Sequence, residues 1–186
     1  MTWLLVVLVL SVIVSLFRGG KLSNLTEIYA RGWWLLLIGF GMQIAANYVP
    51  DSNPDLAVSL VLFSYLPLLM VVWLNRNEAG MWIAGIGVLM NFTVIALNQG
   101  MPVLTEAAVL AGNTGELVLG AKHVVLDTTT RLPFLADIIP LPGSVISLGD
   151  VFFAIGLGVF VEDQMQQPVK LFRHRVQGIP GSAADR

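Results

Sequence analysis

The sequence predicts an all-α membrane helix bundle with five transmembrane helices, and three observations carry that expectation. Of 186 residues, 56% are hydrophobic and only 12% charged, with a mean hydropathy of +0.79; a soluble domain carries roughly a quarter charged residues. Five mainly apolar runs of about 16 or more residues recur along the chain, more than one small soluble core can bury. Between those runs the cations fall unevenly, which gives the expected bundle a direction.

The first run, residues 2–17, makes a helix of about 24 Å, short but sufficient to span. No cation precedes it, Arg18 and Lys21 follow it, and no small-residue cleavage pattern closes it. It therefore reads as an anchor with its N-terminus outside rather than as a signal peptide. Gly19-Gly20 opens a short polar loop, and the second run, 33–49, begins with Trp33 and Trp34 as interfacial aromatics. An acidic turn, Pro50-Asp51-Ser52-Asn53-Pro54-Asp55, leads to the third run, 56–74, where Pro67 is an expected kink. Asn75-Arg76-Asn77-Glu78 turns the chain into the fourth run, 81–97.

Residues 98–144 are too polar, and too broken by Gly and Pro, to cross a bilayer. They read as an extracytoplasmic re-entrant or interfacial loop with helical pieces over 105–110 and 121–132, the second carrying Asp127 and Arg131 as an i,i+4 pair. The fifth run is 145–161. A single transmembrane domain thus covers 1–165, and 166–186 is expected to be a loose cytoplasmic tail.

Arg18, Lys21, Arg31, Arg76, Lys170, Arg173, Arg175 and Arg186 fall on one side of this topology, and Lys122 and Arg131 on the other. The positive-inside rule then places the C-terminus in the cytoplasm and the loop with Asp127 and Asp137 outside. A multi-pass protein of a bacterial cytoplasmic membrane is the expected setting, with membrane lipids as its surroundings.

Polar residues recur on the helix faces at steps that align them. Gly39, Gln43 and Asn47 are spaced by four in the second run; Gly87, Asn91 and Asn98 share a face of the fourth; Asp150, Ala154 and Gly158 share one in the fifth. Small residues let helices approach, and polar ones need partners inside a bundle. Singly, each amide is interhelical glue. Together they gather toward the outward ends, beneath a loop with more acids and His123, and imply a wet pocket open to the outside.

The three acids of the C-terminal half have distinct readings. Asp127 with Arg131 one turn away is a structural ion pair. Asp137 lies in Phe134-Leu-Ala-Asp137-Ile-Ile-Pro140, apolar on both sides, where it needs a hydrogen bond or a raised proton affinity. Asp150 follows Leu148-Gly149 at a helix start, where N-capping accounts for it. Paired, Asp137 and Asp150 would form a dyad in which one carboxyl keeps a proton and the other acts as base toward water.

The run from Leu135 to Val161 resembles the end of the lipoprotein signal peptidases, aspartic membrane enzymes. That resemblance implies Asp137 and Asp150 as the catalytic pair, with Asp127 and Arg131 loosely matching an upstream Asp-Arg. No asparagine stands two or three residues before the second aspartate, where Ser147-Leu148-Gly149 is found, and five expected spans replace four. Nearly the whole chain also resembles a family of small bacterial membrane proteins of unknown function. It does so through Arg18-Gly19-Gly20, Asn98-Gln99-Gly100-Met101-Pro102, Thr130-Arg131-Leu132-Pro133-Phe134-Leu135-Ala136-Asp137 and Ser147-Leu148-Gly149-Asp150.

Other chemistry is set aside on composition. With no cysteine, there are no disulfides, thiolate metal sites or cysteine nucleophiles, and His123 and His174 fall on opposite sides of the expected membrane. No metal site and no cofactor are expected, and a net charge of −2 offers no footprint for nucleic acid. Gly115 to Lys122 misses a phosphate-binding loop by one misplaced lysine, and Pro142-Gly143-Ser144 lacks the second glycine of a nucleophile elbow. Three functions stay open: binding or translocation of a polar lipid or small solute at Asp137, Asp150, Asn91, Asn98, Asp127, Arg131, Gln43, Asn47 and His123; metal-independent hydrolysis by the Asp137/Asp150 dyad, a lipid, a peptide or another small molecule being the ligand; and a structural or sensor subunit of a membrane complex.

Overall fold

The computed structural model describes residues 2–27, 30–50, 52–112 and 123–167. Within them the chain is mostly helical, with six α-helices: α1 (Thr2–Phe17), α2 (Trp34–Ala46), α3 (Pro54–Leu74), α4 (Met81–Asn98), the short α5 (Thr105–Leu110) and α6 (Leu148–Gln166). The expected tail cations Lys170, Arg173, Arg175 and Arg186, together with Lys122, His174 and Asp51, lie outside the described residues.

The five long helices stand side by side in the order α2, α3, α4, α6, α1. Their directions follow from what touches what. A Cβ built on Gly80 would fall on the Gly156 carbonyl, and one on Gly87 on the Gly149 carbonyl, so α4 and α6 run antiparallel with backbones in direct apposition. A Cβ on Gly158 would strike Ser11, and Ser15 donates to the Glu162 carbonyl, so α1 and α6 run parallel. Gly39 of α2 meets Ser64 and Leu68 of α3. Close approach through glycine is how helices associate where no hydrophobic driving force separates them from their surroundings.

Two of these helices, α3 and α4, are long and apolar enough to cross a membrane, while α1 and α2 are shorter apolar helices. Over the most apolar eighteen residues, 33% of α3 and 39% of α4 is buried in the bundle, so most of each faces outward. The outward face is apolar: Leu5, Leu37, Phe63, Leu66, Trp82 and Leu89 are all more than half exposed. Inside, Val61, Tyr65, Val88, Val94 and Ile95 form the core between α3 and α4, reinforced by Tyr65 against Phe92.

The helix ends depart from expectation for local reasons. The second helix stops at Ala46 rather than 49, because Pro50 disfavours helical geometry before it. The last helix starts at Leu148 rather than 145. Ser144–Ile146 instead forms a strand, β4, paired antiparallel with β3 (Ile139–Leu141) across a turn where Gly143 adopts φ +76°. It also continues to Gln166, since Glu and Gln propagate a helix as well as apolar residues do. The 98–144 segment carries a short helix over 105–110 as expected, but of the expected 121–132 helix residues 121 and 122 lie outside the described residues and 123–132 is not helical. His123–Val125 forms β2, parallel to β1 (Met101–Val103), and the chain then turns. β1 is fully buried and becomes the centre of the cap, with β2 on one side and Asp137 bridging from the other.

Candidate functional site

The cap and the bundle enclose a cavity of about 360 Å³ at the end of the molecule where α4 finishes and α6 begins. All five long helices reach it. Its walls are mainly apolar, including Trp3, Phe40, Val61, Leu68, Ile95 and Phe153. Its polar lining joins Gln43, Asn91, His123, Asp137 and Asp150, five of the nine residues singled out from sequence, with Tyr65 and Ser144.

Asp137 is held by backbone. Its N–H donates to the Pro102 carbonyl at 2.8 Å and its carbonyl accepts from Leu104 N–H at 3.0 Å, which fixes it along β1 and leaves it 7% exposed. The apolar neighbours noted in the sequence become an apolar surround: Leu135, Ala136 and Met101 are buried beside it in the cap.

Asp150 is placed by a different device. The expectation that it caps its own helix is corrected by one turn: Ser147 is the N-cap, and Asp150 sits at the third helical position of a capping box. The Ser147 Oγ accepts from Asp150 N–H at 3.0 Å, and Asp150 Oδ2 accepts from Ser147 N–H at 3.1 Å. Its other oxygen accepts from Asn91 Nδ2 at 2.8 Å, while Ser147 Oγ donates to Asn91 Oδ1 at 2.9 Å. Ser147, Asn91 and Asp150 thus close a ring of hydrogen bonds across the α4–α6 seam. Gly149 makes room for it, because a Cβ there would overlap the Asn91 amide.

Asp137 and Asp150 share this cavity and both lie within electrostatic reach of the Tyr65 hydroxyl. The remaining candidates lie elsewhere. Asn98 binds the Arg131 backbone on both sides, accepting from its N–H at 2.8 Å and donating to its carbonyl at 2.9 Å, and so clamps the cap to the end of α4. Asn47 donates to the Gln43 carbonyl in its own helix.

The expected Asp127/Arg131 helical pair is overturned. With no helix over these residues, Asp127 closes a turn instead, its Oδ1 accepting from Thr129 N–H at 2.8 Å, Thr129 Oγ1 at 2.7 Å and Thr130 Oγ1 at 3.2 Å. Those bonds, foremost the Thr129 hydroxyl, hold its carboxyl below the usual range. The Thr-rich stretch Thr128-Thr129-Thr130 after an Asp is the local signal for such a turn. Sequence reasoning also missed Ser147 and Tyr65. Ser147-x-x-Asp150 before an apolar run is a legible capping box, whereas nothing in an apolar third run singles out its one tyrosine.

A model described as a family of unknown function (DUF5317) matches residues 27–162. The chain belongs to this family. That span takes in α2, α3, α4, the cap and most of α6, and with them every polar residue of the cavity. An uncharacterised protein of Thermotoga maritima is 30% identical over 162 residues, covering 84% of this chain and 86% of that protein. No solved structure matches the DUF5317 chain.

Proposed function

We propose that this DUF5317 protein is a five-span bacterial membrane protein whose outward cavity binds a small amphiphile with a cationic or hydrogen-bond-donating head. The observation that carries the reading is one cavity with apolar walls from five helices and two carboxylates, Asp137 and Asp150, among its polar groups, with no Lys or Arg among the described residues of its lining. A cationic head is the complement of such a lining, and apolar walls suit a chain behind it. Support for the membrane setting comes from α3 and α4, from the apolar outward faces, and from the cations. Arg18, Lys21, Arg31 and Arg76 gather at the end away from the cavity, which by the positive-inside rule is cytoplasmic.

The test is thermal unfolding of the full chain in a neutral detergent with added dodecylammonium, and with dodecanol as the uncharged control. At a hundredfold excess over Kd, a binder stabilises by about 2.7 kcal/mol. The wild type should gain stability from the amine alone, and Asp137→Asn and Asp150→Asn should lose most of the gain. An equal gain from both amphiphiles, or one kept in both variants, refutes the reading.

The presence of both carboxylates on one cavity also favours a second reading, an aspartic hydrolase acting on a peptide or lipid. It predicts that the same two variants fold and bind yet lose all turnover of an amide or ester substrate. If instead both variants vanish from the membrane, the carboxylates serve packing, as a structural subunit would require.

A further inference from the structure

We infer that the groove between α3 and α4 at the cation-rich end is a binding site for one anionic phospholipid, separate from the outward cavity. The groove holds about 400 Å³ and its wall is almost wholly apolar, built from Leu66, Met70, Val72, Ile86 and Leu89. Arg76 also lines it, with two tryptophans, Trp73 and Trp82. The Arg76 guanidinium lies 4.4 Å from the centre of the Trp73 ring and donates to the Trp73 carbonyl at 3.3 Å. It has no carboxylate partner among the described residues, whereas Arg18, at the same end, is already paired with Glu162.

Three features decide the occupant. The groove lies between the two helices long and apolar enough to cross a membrane, on their outward side, so what fills it is an acyl chain. The polar group that meets it at the end is a cation held over the Trp73 ring, with N–H groups left to donate, and such a fork pairs with a phosphate oxygen pair. Tryptophans in the same lining mark the depth at which headgroups sit. A phospholipid with net negative charge satisfies all three. A neutral one leaves the guanidinium charge uncompensated.

The inference rests on the membrane setting proposed above but not on the cavity's ligand. The full chain is reconstituted in nanodiscs of phosphatidylcholine with a minor fraction of phosphatidylglycerol, and retained lipid is counted by native mass spectrometry. Wild type should retain phosphatidylglycerol preferentially. Arg76→Gln should lower that preference about fivefold, the worth of one cation near an anionic surface. Ile86→Trp, which fills the groove and keeps the charge, should lower it as well, while Lys21→Gln should leave it unchanged. Free phosphate should not compete. An equal loss in Arg76→Gln and Lys21→Gln, full retention in Ile86→Trp, or displacement by free phosphate overturns the site. A chain that carbonate extracts from membranes overturns the membrane setting itself, which separates the two failures.

Discussion

The two ends of the bundle use the same side chains in opposite ways. At the cation-rich end, two buried asparagines are consumed by backbone. Asn75 donates to the Arg31 and Val71 carbonyls and accepts from Arg31 N–H at 2.8 Å, while Asn24 donates to the Met165 and Gln167 carbonyls. Both asparagines are buried, and each ties a loop to a helix end. At the cavity end, Asn91 bonds only to side chains, Asp150 and Ser147, and its own surface lines open space. A polar residue tied to backbone fixes the fold, because those partners cannot move without it. One tied to other side chains in a cavity can exchange partners with a ligand, which is why the cavity end, and not the other, is the candidate site.

The seam that holds the two ends together should give the largest effect when broken. Gly87 has the Gly149 carbonyl and the Phe153 amide where a Cβ would lie, and both are backbone atoms that cannot rotate aside. Gly87→Val should therefore force α4 and α6 apart and cost more than the ~1–3 kcal/mol typical of core overpacking. Size-exclusion profiles of the fluorescently tagged chain should show the folded peak lost. Gly41 lies in α2 with open space around its Cα, and Gly41→Ala should leave the peak intact.

Next in size comes the contrast between the two asparagines. Asn75→Ala strands the Arg31 carbonyl and N–H, while the Val71 carbonyl keeps the backbone N–H of residue 75, and a group left unsatisfied in the interior costs ~1–3 kcal/mol. Its unfolding midpoint should fall with amphiphile binding unchanged in the folded fraction. Asn91→Ala leaves the capping box of α6 standing, so stability should fall by only ~1 kcal/mol, while binding to the cavity weakens. If Asn75→Ala weakened binding and Asn91→Ala did not, the division between the two ends would fail.

This division explains what could be read from the chain and what could not. Helix positions α1 to α4 were legible because each is an apolar run ended by Gly, Pro or a charged turn. Asn91 and Gln43 were legible as cavity residues because a step of four places them on a face with glycine. The cap was not. Its strands are three residues long, β1 pairs with a strand twenty residues on, and no periodicity can appear in so short a segment. That is why 121–132 reads as helix, and why the expected partnership of Asp127 with Arg131 disappears. Tyr65 was hidden for the opposite reason. In a run already apolar, an aromatic with a polar tip changes neither pattern nor composition, and only the packing of α3 against α4 shows where its hydroxyl points.

The smallest effect belongs to Asp127, an acid of the cap that does not join the cavity. It is exposed, and its carboxylate is held below the usual range by Thr129 first and Thr130 second. The sign follows from linkage: a carboxyl whose folded pKa is depressed contributes stability above its unfolded pKa, near 3.9, and loses it as pH falls toward the folded value. Asp127→Asn removes the charge and keeps the shape of the turn. The wild type should then exceed the variant in stability by a small, constant margin above about pH 5, and the margin should shrink below about pH 4. Thermal midpoints of the two proteins across that range check it. A margin that grew on acidification would mean that Asp127 is destabilised in the fold, which the three hydrogen bonds at its Oδ1 exclude. Because Asp127 closes a turn of the cap and is not part of the cavity lining, amphiphile binding should follow the same pH curve in both proteins. A change in that curve would place Asp127 in the site after all and would move the boundary of the cavity outward to the turn it closes.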